Sequence, residues 1–252
     1  MPQARTIEEV IQQLDDIIHA SAAAQSPLGY FAALYRKVTI KVRDGIATGF
    51  FEDGPRMERL DVIFANRYLD AYAAQQAHQP LASSWLRAFQ AAEWYQPIVL
   101  QHLLVGMNAH ISLDLGIAAA KVSEGQDIQA LDTDFQRINT ILASLVQEVQ
   151  DELAEIWPGL LWVLRATKHA DNFLLNFSME IARNAAWAFA QFLAKQPKEA
   201  WPAIIRERDR IVADHANSVL RPGTIPTLVL LCIRLAERGS VAQKIHTLSA
   251  TS

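Results

Sequence analysis

Residues 97–121 read PIVLQHLLVGMNAHISLDLGIAAAK, and between Glu93 and Asp114 the chain carries no Asp, Glu, Lys or Arg. Leu103, Leu104, Val105, Met107, Ile111, Leu113, Leu115 and Ile117 cover every side of the helix this stretch predicts. A helix that is apolar all round is buried on all sides. His102, Asn108, His110, Ser112 and Asp114 are nevertheless embedded in it. Buried polar side chains are costly without partners, so this helix is expected to hold either a polar network or a ligand site. The charge-free length is roughly that of a membrane span, but two His with Asn and Gln disfavour insertion, and the stretch is read as a core helix.

Working outward, the flanking segments carry helical signals and little else. Thr6-Ile7-Glu8-Glu9 has the form of a capping box ahead of Val10, Ile11, Leu14, Ile17 and Ile18. Residues 28–48 fit both periods, because Val38-Thr39-Ile40-Lys41-Val42 alternates like a strand. No second strand-like run lies nearby to pair with it, so helix is the expectation. Asp53-Gly54-Pro55 supplies an N-cap and an N-terminal proline for a helix over 56–77, and Ser83-Ser84 begins a shorter one through Trp85 and Phe89. Thr133 to Gln136 offers a further capping pattern for a helix ending near Trp157-Pro158. A long helix is expected to reach Lys195, another runs between Pro197 and Val219, and a last apolar one spans Ile225 to Glu237. The tail after Gly239 is expected to fray. The reading is all-α: one helical domain over residues 1–252, a bundle of eight to ten helices around the central helix.

Composition narrows the function classes. The chain has 252 residues, 51% hydrophobic and 20% charged, with net charge −4, which gives no electrostatic reason to expect nucleic acid or an anionic membrane as partner. A small molecule or a second copy of the chain is the expected partner. Cys232 is the one cysteine, so no internal disulfide and no cysteine metal cluster is expected. The amphipathic N-terminal stretch lacks the apolar core of an export signal, and a reducing, cytoplasmic location is expected.

His110 and Asp114 are the sharpest chemical feature, because residues four apart share a helix face and can grip one divalent, zinc-like ion. A third ligand is expected from Asp171, with Asp61, His169 and Glu180 as further candidates. His102 lies about 12 Å along the axis from His110 by the helical rise, so it is expected to hydrogen-bond into the same cleft rather than share an ion. Asp61 is the candidate base, and Arg67 and Arg183 are inward arginines that need a carboxylate or an anionic ligand. Against this stands the bland reading, in which Asp114 orients His110 and nothing binds. Gly106 and Ala109 remove bulk beside the histidines, either to admit a neighbouring helix or to leave room for a ligand.

Gly106-Met107-Asn108-Ala109-His110, continued to Asp114-Leu115, with Met57 to Tyr68 before it and Arg183-Asn184-Ala185-Ala186-Trp187 after it, resembles an uncharacterised bacterial family of helical proteins with a Gly-x-Asn-Ala-His-x3-Asp-Leu signature. That resemblance implies an all-helical shape and carries no activity. A looser similarity is to zinc-dependent phospholipase C and P1-type nucleases, in which a helix bearing His-x3-Asp supplies zinc ligands. Only His110 and Asp114 transfer; the N-terminal Trp and the later His and Glu ligands have no counterpart here. Two functions follow as expectations: a metal-dependent hydrolase of a phosphoester or small polar ester, or a non-catalytic helical module that binds a ligand or dimerises, with a structural polar core.

Overall fold

The computed structural model describes residues 2–159 and 179–250, and among them there is no strand. They form ten helices: α1 (Ile7–Ala23), α2 (Leu28–Ala47), α3 (Gly54–Gln76), α4 (Ser83–Gln90), α5 (Val99–Val122), α6 (Asp132–Ile156), α7 (Met179–Ala194), α8 (Trp201–Leu220), α9 (Thr224–Ala236) and α10 (Val241–Ser249). The ambiguous stretch Val38–Val42 is helical inside α2, and the Thr39 hydroxyl donates to the Tyr35 carbonyl one turn back at 3.0 Å. With no partner strand, the intrahelical ladder is what satisfies those backbone groups.

Helix α5 is the axis. Its first half is gripped by α2, α4 and α8, and its second half by α3 and α7. It is long and apolar enough to cross a membrane, but 83% of its most apolar window is buried by its neighbours. Between two α-helical stretches, residues His110–Leu115 adopt a π-helical turn. Close packing on both sides depends on glycine: a Cβ on Gly106 would stand 2.6 Å from the Phe31 ring of α2, and one on Gly116 would stand 2.9 Å from the Ala186 carbonyl oxygen of α7. Of the two roles open to Gly106, it serves helix approach.

Several helix starts are capped from elsewhere in the fold. Thr6 accepts from the Glu9 N–H as its motif predicts, and Asp53 accepts from the Arg56 N–H. At α4, however, both Ser83 and Ser84 N–H groups donate to Asp209 of α8, at 2.6 and 2.9 Å, so a carboxylate three helices away does what the serines were expected to do. Helix α6 begins at Asp132, one residue ahead of the expected Thr133 cap, because a 3₁₀ turn over Ile128–Leu131 leads directly into it.

The expectation of a frayed tail after Gly239 is corrected. Ser240 and Gln243 form a capping box for α10, whose Ile245 and Leu248 are buried against α1 and α2. Glu237 anchors this end of the chain: it accepts from the Val99 N–H at the start of α5 at 2.7 Å and pairs with Lys244 at 2.7 Å and Arg234 at 3.0 Å.

Candidate functional site

The π-helical turn of α5 sets His110 and Asp114 in the densest part of the core, 2% and 0% exposed. Such turns are rare and concentrate at functional sites. Asp114 is saturated. Its Oδ1 accepts from Arg67 Nε of α3 at 2.6 Å, and its Oδ2 accepts from Trp85 Nε1 of α4 at 2.8 Å, with His110 Nδ1 at 3.4 Å. Burial alone would raise this carboxyl, but Arg67, His110 and Trp85 outweigh it and hold the group below the usual carboxylate range.

An ionised carboxylate facing Nδ1 assigns the proton to that nitrogen, which leaves Nε2 of His110 as a lone-pair acceptor. Burial pushes the imidazole pKa down, against the opposing pull of Asp114, so the ring is neutral near pH 7. Nε2 is buried and has no partner among the described residues. Aromatic rings fix the imidazole: Phe64 of α3 stacks on it with centroids 3.6 Å apart and planes 8° from parallel, and Tyr35 of α2 meets it edge-on at 4.4 Å.

One face of His110 borders a cavity of about 270 Å³ between α2, α5 and α6. Its walls are apolar, among them Leu103, Met107, Ile111, Leu145, Val149 and Leu153, and Val146, which is 46% exposed, marks the side nearest solvent. Among the described residues, the polar side chains on it besides His110 and Arg183 are Tyr35 and Gln150. Arg183 of α7 is 4% exposed. Its Nε donates to Asn139 at 2.6 Å, it donates a further hydrogen bond to the Phe135 carbonyl, and its guanidinium lies 4.6 Å from the Phe135 ring centroid. All those partners are neutral, and burial lowers the guanidinium pKa to about 10.

Of the remaining expected site residues, Asp61 lies close to the cluster, whereas His102 and Glu180 do not join it. Asp61 sits on α3, 7% exposed, with Oδ2 unpartnered among the described residues. Burial, reinforced by Glu58, raises its carboxyl to about 7. Its charge reaches the Tyr35 phenol, which burial first and Asp61 second push upward. His102 lies against Tyr30, at 5.6 Å edge-on, and borders a different, smaller pocket between α2, α4 and α5. Burial, with Arg234 and Lys244, depresses it to about 3. Glu180 is exposed at the start of α7. Asp171 and His169 lie outside the described residues, and among the described ones no three His, Cys, Asp or Glu side chains are placed to hold one metal ion.

One member of the cluster, and the turn that carries His110 and Asp114, are hidden from sequence reasoning. Trp85 looked like an ordinary packing residue, and only its indole N–H on Asp114 gives it a polar task. The π turn leaves no mark in the hydrophobic period. Arg67 and Arg183 were identifiable as inward arginines, but their partners were not.

The chain belongs to a family of unknown function, DUF5995, whose model matches residues 7–222. No curated protein and no solved structure matches it significantly, so the similarity to zinc-dependent phospholipase C is not supported.

Proposed function

We propose that this member of DUF5995 is a non-catalytic binding module whose ligand is a small, largely apolar molecule held in the cavity between α2, α5 and α6. The observation that carries the reading is the Nε2 atom of His110: buried, unprotonated, without a partner among the described residues, on a ring that borders an apolar cavity. A small number of placed polar groups in an otherwise apolar pocket is how small-molecule sites obtain orientation. Asp114, Arg67 and Trp85 act behind the ring, fixing its tautomer and its angle, while Phe64 and Tyr35 fix its plane. A ligand hydroxyl would donate to Nε2 and relieve an unpaired buried acceptor.

The test uses 1-decanol as a neutral probe. Titration calorimetry should show saturable binding to the wild-type protein and a ligand-dependent rise in melting temperature. Leu142→Trp, which adds bulk at a half-buried wall position, should abolish that binding without unfolding the protein. Identical decanol binding by the Leu142→Trp variant would remove the cavity from the account.

A second reading is hydrolysis of a phosphoester or small polar ester by an ion held on His110 and Asp114. Asp61 favours it, because a carboxyl that titrates near neutrality suits a general base. It requires an ion to displace Arg67 or Trp85 from Asp114. Protein purified without added metal should then carry near-stoichiometric zinc or a similar ion; less than about a tenth of an equivalent, with no zinc-dependent thermal shift, removes this reading.

A further inference from the structure

Arg183 is the group that the proposed reading leaves unexplained. Isolated charges are expensive inside a protein, and a buried guanidinium is ordinarily found against a carboxylate or a phosphate. Among the described residues no carboxylate pairs with it; Glu180, one turn earlier on α7, points to solvent. A guanidinium has five N–H donors. Two are taken by the Asn139 side chain and the Phe135 carbonyl, both neutral, and the Phe135 ring covers one face. These contacts hold the guanidinium in one orientation without compensating its charge. The same side chain borders the apolar cavity that His110 borders.

A rigidly held cation with no carboxylate partner among the described residues, beside an apolar chamber, is complementary to a molecule with an anionic head and a hydrocarbon body. We propose that the ligand of this cavity is an apolar monocarboxylic acid, its carboxylate on the Arg183 guanidinium and its hydrocarbon part along Leu103, Met107, Leu145 and Val149. The proposal rests on the cavity being a binding site, and it adds the charge and chemical class of what fills it; the carboxylate, an acceptor only, engages Arg183, and His110 Nε2 takes a hydroxyl where the ligand carries one. The carboxylate supplies the counter-ion that no described residue gives Arg183, and the arginine fork matches it with two parallel hydrogen bonds. A cavity of about 270 Å³ lies near the lower end of the range for small-molecule pockets, which suits a medium-length chain better than a bulky ring system.

Three ten-carbon probes that differ only in head group separate the claims: decanoate, 1-decanol and decylamine, each titrated calorimetrically into the full chain. Decanoate should bind about tenfold or more tighter than decanol, as expected for a charge-assisted hydrogen bond, and decylamine should bind weakest. Arg183→Gln should bring decanoate down to the decanol level while leaving decanol affinity unchanged. Arg183→Lys keeps the charge but loses the fork and should retain part of the preference. Equal affinity of the wild-type protein for decanoate and decanol overturns the carboxylate assignment and leaves the binding site standing. Absence of binding by all three probes overturns both. If Arg183→Gln does not fold, the wild-type order of the three head groups and a loss of the decanoate preference with added salt decide the question.

Discussion

Two buried aspartates, 53 positions apart in the sequence, stand in opposite electrostatic conditions within one core. Asp114 on α5 has both oxygens engaged by Arg67, Trp85 and His110, and its carboxyl is held below the usual range. Asp61 on α3 has an oxygen without a partner among the described residues and is raised to about 7. Both are almost wholly buried, so burial does not decide which one is charged; partners do. The comparison also separates the two candidate roles of the polar core. The Asp114 side is a completed network with the character of a support, whereas the side chains with open groups among the described residues, those of His110 and Arg183, line the cavity.

The contrast breaks most visibly at Asp114. Asp114→Ala leaves the Trp85 N–H and the His110 Nδ1–H without an acceptor in the core, and should cost about 3–5 kcal/mol in urea unfolding. A loss below about 1 kcal/mol would mean that the network does not hold the fold.

Asp61→Asn should act in the opposite sense and depend on pH. The folded-state pKa of Asp61 lies above its unfolded value, so its favourable contribution is complete below about pH 4 and is lost as pH rises towards 7. The variant, which cannot ionise, should match the wild type at pH 4 and exceed it at pH 8 by on the order of 4 kcal/mol. Asp114 has the reverse dependence: its contribution is present above about pH 4 and declines as pH falls further. Parallel pH–stability curves for the wild type and Asp61→Asn would contradict the contrast.

Trp85→Phe is the smaller probe. It keeps the ring packing but removes one donor to Asp114, at a cost of about 1–2 kcal/mol, and it should weaken the acid-limb dependence that Asp114 provides. Chemical denaturation at pH 7 and pH 4 reads both effects.

Much of the fold was legible because helical periodicity and local caps act over a few residues. Thr6, Asp53 and the proline-marked breaks place their helices within a residue or two of where they lie. What sequence could not supply was capping at a distance. Asp209 on the start of α4 and Glu237 on the start of α5 are contacts between residues more than a hundred positions apart. The second of them helps to anchor the tail after Gly239, together with the burial of Ile245 and Leu248. The site divides in the same way. The i, i+4 pair His110 and Asp114 announces itself on any helix, but Trp85 joins it only through tertiary packing. His102, expected in the same cleft, faces another pocket, because helical rise alone does not say which neighbours surround each turn.

The central claim is that His110 offers an unprotonated Nε2 to an apolar ligand while Asp114 holds its other nitrogen. Long-range ¹H–¹⁵N correlation spectra of histidine-labelled protein at pH 7 test this most directly. The account predicts a neutral His110 protonated at Nδ1, with an Nε2 resonance that shifts on saturation with decanol and is indifferent to one equivalent of zinc. A ring protonated at Nε2, or one that ignores decanol and responds stoichiometrically to zinc, would contradict it.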